Sequence, residues 1–416
     1  MKGFVSWLLL ASACGARSDL TQGDGGSSPI GAGGSGAGPT GGGTASGGAA
    51  PLCEGFVVDG EPFAIPFGQN ATQPDVGQTA DGRTFVAWRA QDGTLVGDPS
   101  LGSRGPWPDP FDDVVTLAPS ASSFVAGPGQ IGPMALLEDQ EGGGSLERDL
   151  FGVAPPIVTF SGAGEPMFVA QSSERTLFAS HQFGFLTVGS WSEREGVALE
   201  GPSICLGTTM LGGAIAKADG FVTAYADSVA PGQSCFAQVP QPGLNLVTMR
   251  YAPGAPMPVT LVEQLPQNEP LLHLALVSTG FGAWLVYQTD GSTSRTMPAI
   301  AAYRVDHGGA LQPEEPGPIP LTPDGISTSQ LAASAMDDAL VIAWVDSVDP
   351  SAPMVIVQRI EADGSLGPAA SFGTHAAWLS GRLRMTTTAD QRSLILAWTA
   401  DVDKSVGVAR ISCAAR

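Results

Sequence analysis

The sequence has few of the residues on which most catalytic and metal sites depend. Its 416 residues include four histidines, five cysteines and three lysines. No histidine lies in an HxxxH pattern, and no GxSxG motif occurs, so neither a zinc-protease helix nor a nucleophile elbow is indicated. The apolar run over residues 4–11 is too short to span a bilayer. No motif specifies a reaction.

Positive charge is also scarce. Lysine and arginine total 19 against 40 aspartates and glutamates, which gives a formal net charge of −21. A chain this acidic is repelled by nucleic acid and by anionic membrane surfaces. We therefore expect no nucleic-acid partner. The solubility of an exported protein is a sufficient explanation of the charge itself.

The N-terminal residues combine a positive charge, a short apolar run and small residues before a cysteine. Lys2 precedes the apolar run, and the small residues Ser12 and Ala13 come directly before Cys14. This pattern resembles a bacterial lipoprotein signal peptide, which implies that residues 1–13 are removed and that Cys14 is lipidated. Cys14 followed by Gly15 also resembles the start of uncharacterised envelope lipoproteins and, by the enteric sorting rule, favours the outer membrane. The alternative is an ordinary secretory signal with an incidental cysteine.

A segment of low complexity follows the signal. Residues 22–51 are almost wholly Gly, Ser, Ala, Thr and Pro. Such a composition buries too little apolar surface to offset the entropy of ordering the chain. We expect residues 14–52 to be a disordered, lipid-anchored linker, with an r.m.s. span of roughly 30 Å for thirty residues.

From residue 53 onward the sequence repeats. Five apolar, β-rich segments each follow a turn signal and end in an aromatic residue: Trp88, Tyr225, Trp284, Trp344 and Trp398. A second element, an apolar strand ending in arginine and another apolar residue, recurs at Arg250, Arg304, Arg359 and Arg410. The arginines are 54, 55 and 51 residues apart, and the last four aromatics are 59, 60 and 54 apart. Two markers thus share one period.

A unit of this length with four short strands resembles a β-propeller blade. The resemblance implies an all-β domain over 53–416, a propeller of seven blades or, alternatively, six. The repeat is blurred between residues 89 and 200, where two or three blades are expected. The aromatics end apolar strands at the blade period, which favours packing between blades. We expect a monomer.

The chain ends indicate how the ring closes. The last unit stops at Cys413, just after its third strand, and would leave an open edge. Residues 61–67 (EPFAIPF) are similar to residues 315–321 (EPGPIPL), which occupy the outer-strand position of an internal unit. We therefore expect the N-terminal segment to complete the final blade.

Four cysteines remain after Cys14, an even number that favours disulfides in an exported protein. Three connectivities are possible for Cys53, Cys205, Cys235 and Cys413. Ring closure places Cys53 beside Cys413, which leaves Cys205 with Cys235. Free buried cysteines are the alternative, and the spacings do not match a zinc site.

Carboxylates are the best candidates for a ligand face. Asp227 and Asp346 occupy the same position after the repeat aromatic, and Asp401 follows Trp398 similarly, in the loops between second and third strands. In a propeller these loops emerge on one face, where carboxylates suit a hard cation such as calcium. Asp, Ser and Pro also make good hairpin loops without any ligand. We expect no other cofactor. Trp107, between two prolines in an insertion, is the aromatic expected to be exposed for contact.

These features favour a non-enzymatic envelope lipoprotein that binds or scaffolds a protein or glycan partner. The alternative is a polysaccharide-active enzyme, a glycoside hydrolase or lyase, because propellers host both classes and the fold does not decide between them.

Overall fold

The computed structural model describes residues 53–414, apart from several loops. The longest of these gaps are 66–71, 102–113, 128–133, 228–242, 252–258, 290–298, 374–381 and 400–405. Over the described residues the secondary structure consists of β-strands and turns. Within that part of the chain, no helix is long and apolar enough to cross a membrane.

The strands form seven antiparallel sheets, which we number as blades in chain order. Blade 1 contains β3 (Thr72–Gln78), β4 (Thr84–Arg89), β5 (Leu95–Leu101) and β6 (Val115–Ala118). Blade 2 contains β7 (Ser123–Gly127), β8 (Met134–Glu138), β9 (Gly143–Glu147) and β10 (Val158–Ser161). Blade 3 contains β11 (Glu165–Gln171), β12 (Thr176–Gln182), β13 (Phe185–Ser192) and β14 (Gly196–Cys205).

In blades 4 to 6 the four strands also follow one another in chain order. Blade 4 contains β15 (Met210–Lys217), β16 (Gly220–Asp227), β17 (Gly243–Tyr251) and β18 (Val259–Pro266). Blade 5 contains β19 (Leu271–Thr279), β20 (Gly282–Thr289), β21 (Ile300–Val305) and β22 (Ile319–Pro320). Blade 6 contains β23 (Thr328–Met336), β24 (Ala339–Asp346), β25 (Met354–Ile360) and β26 (Leu366–Gly373).

Blade 7 joins the two ends of the chain. It contains β27 (Leu383–Thr387), β28 (Ser393–Thr399), β29 (Val406–Ala414) and, from the N-terminal side, β1 (Gly55–Val58) and β2 (Phe63–Ala64). The first strand of every blade contacts the first strands of both neighbouring blades, and β27 contacts β3. The protein is therefore a closed, all-β propeller of seven blades, which confirms the larger of the two expected blade numbers.

The core is divided among the blade interfaces. Seven clusters of buried apolar side chains occur, one between each pair of neighbouring blades. The second strands are covered on both faces, and every residue of β20 and β28 is buried. A strand buried on both faces reads as a continuous apolar run, which is why these strands give the clearest repeat signal.

The N-terminal segment completes blade 7 as expected, but in a different register. Phe63 and Ala64 pair with Val408 and Gly407 of β29, just as Ile319 and Pro320 pair with Ala302 and Ala301 in blade 5. Phe63 is thus equivalent to Ile319, two residues away from the sequence-based match. The outermost strand is β1, in which Phe56 lies opposite Cys413.

The closing strand is linked covalently to the C-terminal strand. A disulfide joins Cys53 to Cys413, whose Cα atoms are 5.2 Å apart. This confirms one of the expected pairs. Cys205 ends β14, whereas Cys235 lies outside the described residues, so their pairing stays a prediction.

One repeat marker was assigned wrongly. The registers align β20 with β16 so that Tyr287, not Trp284, is the equivalent of Tyr225. Tyr287 packs toward blade 4, whereas Trp284 packs toward blade 6 beside Trp344. The two residues are an odd number of positions apart, so they lie on opposite faces of the strand. The expectation that the repeat aromatics pack between blades holds for both.

The arginine marker is confirmed. Arg250, Arg304, Arg359 and Arg410 lie at one position of the third strands, opposite Val222, Trp284, Val341 and Ile395 of the second strands. Blades 2 and 3 lack both markers, and β8 and β9 have only five residues each. The strands of blade 3 are as long as those of the other blades, so the missing markers, and in blade 2 also the short strands, explain why the repeat was blurred there.

Candidate functional site

The propeller has two faces, and the connections between second and third strands all lie on one of them. We define the upper face as the one at which second strands end, for example at Asp227 and Asp346, and the lower face as the other. On the upper face, blades 1–3 connect second and third strands through short segments, 90–94, 139–142 and 183–184. Blades 4–7 use the longer segments 228–242, 290–299, 347–353 and 400–405. The upper face is therefore asymmetric.

The aspartates singled out from the sequence belong to this face. Asp227 and Asp346 are the last residues of β16 and β24, at equivalent positions. The side chain of Asp346 is half-buried, and that of Asp227 is outside the described part. Asp401 lies outside the described residues, two positions after β28 ends at Thr399.

Trp107 is also outside the described residues, in the connection from β5 to β6. That connection leaves β5 at Leu101, which pairs with Thr84 beside the hairpin between first and second strands. This hairpin lies on the lower face, so the connection with Trp107 leaves its sheet at the end opposite Asp346. Cys14 precedes the described part of the chain.

The upper ends of the first strands, which surround the axis of the ring and which we call the channel mouth, contain strained backbone. Five first strands contain a β-bulge near their upper end, between residues 72/75, 166/168, 211/213, 271/273 and 329/331. At two of them a glutamine has a left-handed backbone, with φ of 53° at Gln73 and 52° at Gln330. Such strain in residues other than glycine costs about 1–2 kcal/mol and concentrates at functional sites.

A buried carboxylate lies at the same level. Asp75 of β3 is 4% exposed. Its Oδ2 accepts a hydrogen bond from the backbone N–H of Ala126 in β7 (2.8 Å), and its Oδ1 accepts one from Val76 (3.0 Å). Burial raises the pKa of Asp75, although the charges of Arg384 and Arg382 and both amide bonds oppose this. A first strand pairs on one edge only, so Asp75 satisfies a backbone donor at the free edge of the neighbouring blade.

Two arginines from blade 7 meet this carboxylate. Nε of Arg384, in β27, lies 3.7 Å from Oδ1 of Asp75. Nη1 of Arg382 donates a hydrogen bond to the carbonyl oxygen of Phe124 in β7 (3.2 Å). The cluster thus links blades 7, 1 and 2 on the axial side of the ring.

His273 of β19 approaches from blade 5. Burial, and secondarily the positive charge of Arg384, lowers the pKa of His273 from 6.5 to about 4. The imidazole is therefore neutral at neutral pH, with one nitrogen that donates and one that accepts. The side chain of His273 is half-buried.

These residues share one level of the ring. Asp75, His273 and Arg384 lie opposite Ala87, Gln288 and Ala397, each one or two residues before the upper end of a second strand. We call Asp75, His273, Arg382 and Arg384 the channel-mouth cluster. Nothing in the sequence indicates this cluster, because no local motif connects residues so far apart in the chain.

A concave site lies on the lower face between blades 7 and 1. This cleft of about 270 Å³ is lined by Asp81, Arg83, Asp390 and Arg410, among others. Its charges are paired locally: Nε of Arg83 lies 2.7 Å from Oδ2 of Asp81, and Nε of Arg410 lies 3.1 Å from Oδ2 of Asp59. The described residues include no group of three or more His, Cys, Asp or Glu side chains that could hold a metal ion.

The chain has only distant similarity to known proteins. No family matches it by sequence, and no curated protein matches. Among solved structures it is similar to a prolyl endopeptidase (12% identity, TM-score 0.47, 82% of this chain and 46% of that one). It is also similar to the SapL1 lectin in complex with alpha methyl fucoside (10%, 0.46, 83% and 93%) and to the WD40 domain of SCAP from fission yeast (10%, 0.44, 88% and 89%).

The chain spans about half the length of the peptidase. The three neighbours have different functions, and at these values none of them carries an argument about the function of this protein.

Proposed function

We propose that the protein is a non-enzymatic, monomeric binding or scaffolding protein of the cell envelope that recognises a protein or glycan partner through its upper face. The supporting observation is the asymmetry of that face, on which second and third strands are joined by 2–5 residues in blades 1–3 and by 6–15 residues in blades 4–7. Binding residues are commonly placed on loops held by a rigid scaffold, and a closed ring of blades is such a scaffold. Asp227, Asp346 and Asp401 begin or lie in three of these connections, where calcium is the ion that their chemistry admits.

The experiment measures binding and turnover together. Full-length protein is tested against a panel of envelope and plant polysaccharides, and against envelope extract by affinity capture, with and without a calcium chelator. Asp346→Ala is compared with Asp363→Ala, an exposed carboxylate in the lower-face turn of the same blade. We expect binding without turnover, weakened by Asp346→Ala and unchanged in the control. Turnover of a polysaccharide, or equal binding by both variants, would contradict the proposal.

We further propose that a lipid on Cys14 anchors the protein in the outer membrane. Stable anchoring takes more than one acyl chain, and bacterial lipoproteins of the kind that residues 1–18 resemble carry two or three. Cys14→Ser is expected to leave the precursor unprocessed or to release the protein from membranes. Membrane fractionation and the intact mass of the mature protein test this. A variant that fractionates like the parent with the same mature mass would exclude lipidation at Cys14.

A further inference from the structure

We propose that the channel-mouth cluster binds an oxyanion, the carboxylate or phosphate group of a ligand, on the guanidinium of Arg384. This inference rests on the proposed function, because it names the group that the upper face would recognise in a partner.

The first step is the free hydrogen-bonding capacity of Arg384. A guanidinium has five N–H donors in a planar fork. Within the described structure, the guanidinium of Arg384 contacts Asp75, with 3.7 Å between Nε and Oδ1. This distance is longer than a hydrogen bond. Both oxygens of Asp75 already accept backbone N–H groups. The donors of Arg384 are thus available to an oxyanion, which can engage two of them at once.

The second step is access. Arg384 is the second residue of β27, a first strand that is flanked by β23 and β3 in the closed ring. Its side chain is nevertheless 37% exposed. Since Arg384 lies near the upper end of its strand, we infer that the exposed part opens toward the channel mouth, on the upper face. A group carried by a bound partner can reach it there.

The third step is charge. With Asp75 ionised, the two arginines leave the cluster with one net positive charge, and the neutral imidazole of His273 adds none. The whole chain carries −21. A positive site set in an acidic protein selects anions and disfavours cations, and partial burial strengthens each charge–charge interaction relative to water.

The test uses two probes that separate the possible sources of the oxyanion. Glucuronic acid represents a carboxylate-bearing glycan, and inorganic phosphate represents a phosphorylated one. Binding to the full chain is measured by calorimetry at pH 7 and low ionic strength. We expect saturable binding of at least one probe, weakened about 10- to 100-fold in Arg384→Gln, as for the loss of a charged hydrogen bond. Arg384→Lys keeps the charge but loses the fork, and an intermediate affinity is expected.

Arg392→Gln is the matched control, because Arg392 is an exposed arginine of the same blade at its lower-face hairpin. It should bind like the parent, and melting temperatures verify that each variant is folded. Absence of binding by the parent, or equal binding by Arg384→Gln, would overturn the inference. If Arg384→Gln captures the envelope partner with the same affinity as the parent, oxyanion binding by Arg384 is contradicted. The proposed binding function of the upper face is not affected by that result. Loss of capture in Asp346→Ala with unchanged probe binding supports both.

Discussion

Replacing Cys53 and Cys413 with serine is expected to lower the free energy of unfolding by about 5 kcal/mol, on the chain-entropy estimate for a long loop. The disulfide joins residues separated by 360 positions and closes almost the whole described chain into one loop. It also fixes β1 against β29, so its loss frees the outer edge of blade 7 to fray. Urea unfolding of the double variant against the parent measures the change.

Truncation separates the bond from the strands. Deleting residues 53–65 removes β1, β2 and the disulfide, and it exposes the edge of β29 from Val406 to Ala414. This deletion is expected to destabilise more than the cysteine substitutions, because backbone hydrogen bonds and the buried Ile65 are lost as well. Deleting residues 22–50 is the control, with little change expected. If the double cysteine variant and the 53–65 deletion were both as stable as the 22–50 deletion, closure of the ring would contribute nothing to the stability of the fold.

The sequence predicted the architecture because blades repeat a strand that is buried on both faces. It also predicted closure, since Cys53 and residues 61–67 could be matched to an open edge. The register of β2 was wrong by two residues, because alternation with a period of two is unchanged by such a shift. Trp284 was misassigned because an aromatic residue near the expected spacing was taken as the marker, although Tyr287 has the matching face.

The channel-mouth cluster had no comparable signal. Asp75 follows a proline in a short strand, His273 lies in an apolar run, and Arg384 is in another short strand. They come together because the ring closes blade 7 onto blade 1 and sets first strands around one axis. A period of 50–60 residues indicates which positions are equivalent, but not which equivalent positions carry complementary charges.

Asp75→Ala is expected to cost about 3 kcal/mol of unfolding free energy, the lower part of the range for removing one member of a buried ion pair. The substitution leaves the N–H groups of Val76 and Ala126 without their acceptor. It also leaves Arg384 without its counter-charge, although the partial exposure of Arg384 reduces that contribution. Thermal or urea unfolding measures the loss.

Asp75→Asn distinguishes hydrogen bonding from charge. The amide keeps an acceptor oxygen and removes a carboxylate whose pKa is already raised by burial, so a smaller loss than for alanine is expected. Asp81→Ala is the surface control: Asp81 forms an exposed ion pair with Arg83, and no measurable change is expected. If Asp75→Ala were as stable as Asp81→Ala, the cluster would not hold blades 7, 1 and 2 together. If Asp75→Asn were as damaging as Asp75→Ala, linking the three blades would require both oxygens of the ionised carboxylate, since the amide offers one acceptor to two N–H groups.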